Sequence, residues 1–157
     1  MRKVRGRRSR VSGGSLIEFS MLLPWVMFLF VGTYDWGFYA HALISVEDAA
    51  RVAALYGAGN GGGGTTTACT IVLNEMSISA NVAGLTAPCL GPVSDSLPVA
   101  VSLTCTTVDS VNAVQAGVTY RTLQLIPIPG ILAGKMTLYR TAKAPISNNG
   151  SCSVTAS

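Results

Sequence analysis

The sequence predicts an α+β protein in which a long N-terminal transmembrane and amphipathic helix precedes a small head. Three observations support this prediction. A twenty-residue apolar run, Ser15 to Tyr34, follows a basic leader. Apolar residues at helical spacing continue beyond that run, and the C-terminal half contains alternating, β-rich segments. A chain of 157 residues has room for one modest domain beside such a helix.

The basic residues are concentrated at the N-terminus. Six of the eleven lie in the first ten positions, and the remainder of the chain has five basic and seven acidic residues, a net charge of five minus seven, or −2. A basic segment directly before an apolar run is typical of the cytoplasmic flank of a membrane helix. We do not expect nucleic-acid binding, because no basic patch or aromatic platform follows later in the sequence.

The apolar run has the length of a membrane-spanning helix. Twenty residues at about 1.5 Å of rise each span about 30 Å, the thickness of a hydrocarbon core. Glu18 is the only charged residue in the run, and Pro24 removes one helical hydrogen bond. Aromatic residues such as Trp36 follow at the far end, where their rings favour the membrane interface. A signal peptide cleaved near Ala42 is the alternative interpretation.

Helical periodicity continues beyond the apolar run. Glu47 and Arg51 form an i, i+4 pair in the favourable order on one face. The helix is therefore predicted to extend from about Ser15 to Tyr56, with an apolar stripe that packs on the chain's own head, on another surface, or on both. The stripe consists of Trp36, Tyr39, Leu43, Val46, Ala50, Ala53 and Gly57.

A glycine-rich stretch, GAGNGGGG at residues 57–64, is predicted to end this helix and to act as a flexible joint. Its formal G-x-G-x-x-G match follows a helix rather than a strand, so we do not interpret it as a dinucleotide site. The predicted organisation is a basic cytoplasmic leader (1–13), the membrane-spanning and amphipathic helix (14–57), the joint (58–66) and an extracytoplasmic head (67–157).

The head is predicted to contain a short helix and an antiparallel sheet. Thr67 is the predicted cap of a helix that extends to about Val82. Apolar and polar residues alternate from Val99 to Thr106, as in a half-buried strand, and the segments 117–126 and 135–142 are also β-rich. Pro127-Ile128-Pro129-Gly130 requires a turn or loop between them. A sheet of three or more strands with a helix on one face accommodates these segments.

All four cysteines, Cys69, Cys89, Cys105 and Cys152, lie after the apolar run. None of them forms a C-x-x-C motif, and the single histidine, His41, is far from them in sequence, so no metal site is expected. Disulfides are typical of a small head in an oxidising compartment. Four cysteines allow three pairings, which the sequence does not distinguish; of these we expect Cys69 with Cys89 and Cys105 with Cys152.

No group of residues has the arrangement that catalysis requires. The chain has one histidine and no nucleophile elbow, and its acids are scattered. We therefore expect neither an enzyme nor a bound cofactor, and no small-molecule substrate. The acids of the head, Glu75, Asp95 and Asp109, are interpreted as solvated surface groups.

The N-terminal third of the chain resembles the TadE-like pseudopilins, which are found with tight-adherence (Flp) pili and have a type IV-pilin-type N-terminus. The resemblance lies in GGSLIEFSMLLPWVMFLFVGTYDWGFYAHALISVEDAARVAALYG, residues 13–57. It combines a glycine, an Ile-Glu-Phe triplet, an apolar helix with proline, and an amphipathic stretch rich in Ala and Arg. The later segments VQAGVTYRTLQLIPIPG and MTLYRTAKA also look like the C-terminal strands of that family.

The resemblance implies a processing site and an assembly charge. Cleavage by a prepilin peptidase between Gly13 and Gly14 would make Glu18 the fifth residue of the mature chain. The new amine of Gly14 would then pair with Glu18 of a neighbouring subunit. The implied partners are the inner membrane, the prepilin peptidase, and pilin and other pilus assembly subunits. The implied function is that of a minor pilin or pseudopilin in the biogenesis of a tight-adherence pilus.

The charge distribution predicts a single-pass inner-membrane protein with a cytoplasmic N-terminus and a periplasmic head. A pilus-associated or extracellular location of the mature protein remains open at this point. So do two alternatives: a secreted disulfide-containing domain with an ordinary signal peptide, and a permanently anchored protein with a sensory or binding head.

Overall fold

The computed structural model describes residues 14–59, 63–79, 81–86, 89–123, 135–146 and 151–154. It contains two helices followed by three strands: α1 (Gly14–Gly59), α2 (Thr65–Glu75), β1 (Val99–Val108), β2 (Val111–Arg121) and β3 (Thr137–Pro145). The strands form one antiparallel sheet in the order β1-β2-β3. The predicted α+β class is therefore confirmed. The chain divides into two compact units, Met1–Trp36 and Gly37–Ser157.

Helix α1 continues for three residues beyond the predicted end at Tyr56. Gly57 and Ala58 in its last turn are buried. Glycine costs about 1 kcal/mol relative to alanine in a helix, and the packing of this turn offsets that cost.

Helix α2 begins two residues before the predicted cap Thr67 and ends at Glu75, earlier than predicted. Gly64 occupies the N-cap position, and no side chain caps the helix there. Beyond Met76 the chain continues in hydrogen-bonded turns, in which the Ser79 N–H donates to the Met76 carbonyl. Serine hydroxyls compete with helical backbone bonds, which favours turns over further helix in this segment.

The predicted alternation in β1 is confirmed, because Val99, Val101 and Leu103 are buried while Ser102 and Thr104 are exposed. β2 begins at Val111, earlier than the predicted start at residue 117. It is the central strand and is buried at successive positions, so its first half lacks the alternation that reveals a half-buried strand. The predicted turn at 127–130 lies outside the described residues.

The register places most of the buried residues of the three strands on one face of the sheet. Leu103 pairs with Ala116, and Ala116 pairs with Ala142. This face forms one hydrophobic core with α2 and with the part of α1 that belongs to the second unit. A two-residue turn joins β1 to β2, and its residues Asp109 and Ser110 have φ values of 49° and 67°. Two left-handed residues give the turn type that suits a twisted hairpin.

Candidate membrane and assembly site

The first unit is an apolar helix whose large side chains are exposed. From residue 16 to residue 30 their exposed fractions run from 47% for Phe28 to 76% for Leu16. A continuous apolar surface of this kind is not stable in water and is covered by lipid or by protein. In the part of the chain that the structure describes, α1 is the one helix that is long and apolar enough to cross a membrane. Its length and composition are those of a single-pass membrane anchor.

Two hydroxyl side chains of this apolar segment are hydrogen-bonded within the helix itself. The Ser20 hydroxyl donates to the Ile17 carbonyl at 2.8 Å, and the Thr33 hydroxyl donates to the Leu29 carbonyl at 2.8 Å. Hydroxyls bonded to the preceding turn require no water, which suits a hydrocarbon environment. Pro24 lies inside the helix and has no N–H to donate to the carbonyl of Ser20.

The predicted processing site and assembly charge lie at the start of this segment. Gly13 is outside the described residues, and Gly14 is the first residue of α1. Glu18 lies one turn further along the helix and is exposed. The ion pairs among the described residues do not include Glu18. The processing and assembly roles of these residues stay predictions.

In the second unit, α1 buries small side chains against the head. Val46, Ala50 and Ala53 of the predicted stripe are fully buried, and Tyr39 and Leu43 are partly buried beside them. Ala49 and Ala54 are buried as well, so the contact face is wider than the predicted stripe. Trp36, the predicted start of the stripe, is 73% exposed and belongs to the first unit. From Tyr39 onward the stripe therefore packs on the chain's own head.

Two disulfides crosslink the head: Cys69–Cys89 and Cys105–Cys152. This is the pairing that we expected from the sequence. Cys69 and Cys89 are buried, and the Cys89 N–H points at the sulfur of Cys69 at 2.9 Å. Cys105 is exposed and Cys152 is partly buried, so the second disulfide holds the C-terminal segment on β1 near solvent.

Two polar contacts at one end of the sheet were not predicted from the sequence. The buried Tyr120 hydroxyl donates to Asn81 Oδ1 at 2.6 Å, and the Asn81 amide donates to the Arg121 carbonyl at 2.9 Å. Burial raises the pKa of Tyr120. These bonds fix the turn after α2 to the end of β2. Their signal in the sequence is weak, because the two partners are far apart along the chain.

Asp95, interpreted above as a solvated acid, contacts two cations. Its carboxylate lies 2.8 Å from Lys135 Nζ and 3.4 Å from Arg121 Nε. The hydrogen bond from Lys135 lowers the pKa of Asp95, and the charges of Arg121 and Lys135 act in the same direction. The Asp95 side chain is 63% exposed, and those of Arg121 and Lys135 are about one third exposed, so this is a surface ion-pair cluster.

Potential metal ligands do not gather within the described residues, where no group of three or more His, Cys, Asp or Glu side chains could hold an ion. His41 lies on α1, and its Nδ1 is 3.4 Å from the Ser45 hydroxyl. All four cysteines are in disulfides, which leaves them without thiolates for a metal.

The family model described as TadE-like protein matches residues 13–55. Over these residues the chain is similar to TadE-like proteins. The match covers the anchor, Glu18 and most of the alanine-rich part of α1, and it confirms the resemblance stated for those residues. No curated protein and no solved structure gives a match.

Proposed function

We propose that this chain is a minor pilin or pseudopilin that takes part in the biogenesis of a tight-adherence type pilus. The observation that carries the proposal is the TadE-like match over residues 13–55, which coincides with an exposed apolar helix that has a single acid near its start. In this proposal the chain is anchored in the inner membrane, and its partners are a prepilin peptidase, pilin subunits and other pilus assembly proteins.

The orientation follows from charge. Six basic residues precede the helix, and the chain after them has a net charge of −2. The N-terminus is therefore cytoplasmic and the head periplasmic. Two disulfides fit a head that folds in an oxidising compartment. A reporter that is active only in the periplasm, fused after Ser157, is expected to be active; activity of a cytoplasm-only reporter at the same position would contradict the orientation.

Processing creates the charge that assembly uses. Cleavage between Gly13 and Gly14 releases the basic leader and leaves an α-amine on Gly14. A carboxylate in a membrane helix costs about 2.5–3.5 kcal/mol at the centre of the bilayer and less near its edge. Pairing of Glu18 with the Gly14 amine of a neighbouring subunit offsets that cost as the helices leave the bilayer. Glu18 thereby sets the register of the subunit as it is added.

Substitution of Gly13 tests the processing step. Gly13→Val introduces a branched side chain at the scissile bond, and we expect an uncut precursor that is heavier by the thirteen-residue leader. Mass analysis of the N-terminus of protein from its native membrane measures this directly. A mature chain that begins at Gly14 supports the proposal. A chain that begins near Leu43 indicates a signal peptide instead, and an intact leader in the unsubstituted protein indicates a permanent anchor.

Substitution of Glu18 tests the assembly step separately. Glu18→Gln keeps the size of the side chain and removes its charge, so insertion is expected to be unchanged or improved. Cleavage continues, while crosslinking to pilin subunits is lost. Asp48→Asn is the matched control, because it removes an exposed acid from the same helix outside the apolar run. Unchanged crosslinking in Glu18→Gln would refute the assembly role.

A further inference from the structure

We propose that the second unit contains two complementary surfaces: Ile78 of one copy inserts into a groove on a second copy of the chain. The groove lies between α1 and β3 and is defined by Arg51, Ala54, Leu55, Ala142, Lys143 and Ala144. All of these residues and Ile78 belong to the second unit, so the proposal rests on that unit alone. It holds whether or not Gly13 is the site of cleavage.

The groove has an apolar floor and a cationic rim. Ala54 and Ala144 are buried beneath it, and Leu55, which is 66% exposed, forms one wall. Arg51 and Lys143 border it with exposed side chains. Its volume of about 300 Å³ is at the lower limit of small-molecule sites, and it is an open depression rather than an enclosed cavity. This shape suits the insertion of a protein side chain.

Ile78 is an exposed apolar side chain of the kind that this groove can bury. It lies in the turn that follows α2 and is 82% exposed, the highest value among the exposed large apolar side chains of the described residues. An isoleucine this exposed gains no stability for its own head, whereas its burial in a partner's groove removes apolar area from water. Glu75, three residues earlier, is also exposed and ends α2.

The charges of the two features are complementary. The protrusion carries Glu75, and the rim carries Arg51 and Lys143. Arg51 already pairs with Glu47 through one of its guanidinium nitrogens at 2.6 Å. Its remaining N–H groups can donate to a second carboxylate. The ion pairs of the described residues include neither Glu75 nor Lys143. An intermolecular pair between these two completes the contact.

The protrusion and the groove share no residue, so the two copies use different surfaces in each contact. Each copy has one Ile78 and one groove, so it can form a reciprocal contact with one neighbour or separate contacts with two. A single anchor with rim charges is weak in free solution. It becomes effective when the copies are already concentrated by their membrane helices, because tethering raises the effective concentration of the second contact.

The test is site-specific photo-crosslinking of the full-length protein in detergent micelles. A photoreactive side chain is placed at position 78, and two differently tagged versions are mixed so that crosslinks between copies are distinguished from crosslinks within one copy. Mass spectrometry is expected to map the crosslink to residues 51–55 or 142–144 of the other copy. The control position is Val108, an exposed apolar residue at the β1–β2 turn, which is expected to give no such product.

Charge variants decide whether the rim is part of the contact. Lys143→Glu and Glu75→Lys are each expected to reduce the crosslink about ten-fold, as for loss of one anchoring contact, and the combined exchange is expected to recover most of it. Intact disulfides in every variant show that the head has folded. The proposal is overturned if position 78 crosslinks to another protein in native membranes and not to this chain, if it gives no product, or if both positions give the same product.

Discussion

The two parts of α1 differ in the size of their apolar side chains rather than in their apolar content. Between residues 16 and 30 the helix presents large side chains such as Phe19 and Trp25, and these are exposed. Between residues 42 and 58 its buried face consists of alanines and Val46. Large side chains suit fluid lipid tails, whereas alanines let a sheet approach the helix closely. Side-chain size therefore predicts the surroundings of each part better than hydropathy does.

Removal of a disulfide is expected to give the largest loss of stability in the head. Replacement of both Cys105 and Cys152 by alanine opens a link across 47 residues and is expected to cost about 4 kcal/mol of unfolding free energy. The pair Cys69 and Cys89 links 20 residues, and its loss is expected to cost about 3 kcal/mol. Urea unfolding of the head measures both values.

Membrane insertion serves as the internal control for these variants. Resistance to alkaline extraction depends on the apolar segment and is expected to remain unchanged when either disulfide is removed. A parallel loss of extraction resistance and head stability would show that the two parts of α1 do not behave differently.

Mild reductant is expected to open Cys105–Cys152 first, since Cys69 and Cys89 are buried. Thiol labelling with mass analysis gives the order in which the two disulfides are reduced.

A matched pair of leucine substitutions compares the two parts directly. Ala53→Leu overpacks a fully buried contact and is expected to lower the unfolding free energy of the head by about 1–3 kcal/mol. Gly32→Leu is expected to leave it unchanged, because a Cβ at Gly32 meets no atom within 4 Å. The comparison fails if both substitutions shift the urea midpoint equally.

The smallest expected effect comes from the polar contact between Tyr120 and Asn81. Tyr120→Phe removes this hydrogen bond and is expected to cost about 1–2 kcal/mol near neutral pH. Burial raises the pKa of Tyr120 above 10, so the folded head holds the phenol proton that the unfolded chain loses. Stability is thus complete below pH 10 and falls as pH rises through the folded pKa. Urea titrations at pH 7 to 11 should show a weaker alkaline loss in Tyr120→Phe.

The predictable parts of the fold were those with a local signal. The length of the apolar run, the i, i+4 pair of Glu47 and Arg51, and the alternation from Val99 to Leu103 each depend on neighbours in sequence, and each led to the correct element. The first half of β2 was missed because a central strand is buried without alternation. The end of α2 was placed too late because apolar spacing alone does not reveal where turns take over.

The residues of the candidate site also fall into those with a local signal in the sequence and those without one. The TadE-like segment was recognised from a contiguous pattern that includes Glu18 and Pro24. The contact of Tyr120 with Asn81 and the cluster around Asp95 were not predicted, because their partners lie far apart along the chain. The groove beside Ala142 has the same origin, since it exists only once α1 packs near β3.

The two disulfides also determine how the molecule responds to a pulling force. When tension enters at the C-terminal end and is resisted by the membrane helix, it passes from Cys152 directly to Cys105, and from Cys89 directly to Cys69. Strands β2 and β3 lie inside the first of these covalent loops and carry no tension. Stretching can therefore lengthen only the chain outside the loops. Most of the sheet therefore lies within a covalent loop that pulling on the chain ends cannot lengthen.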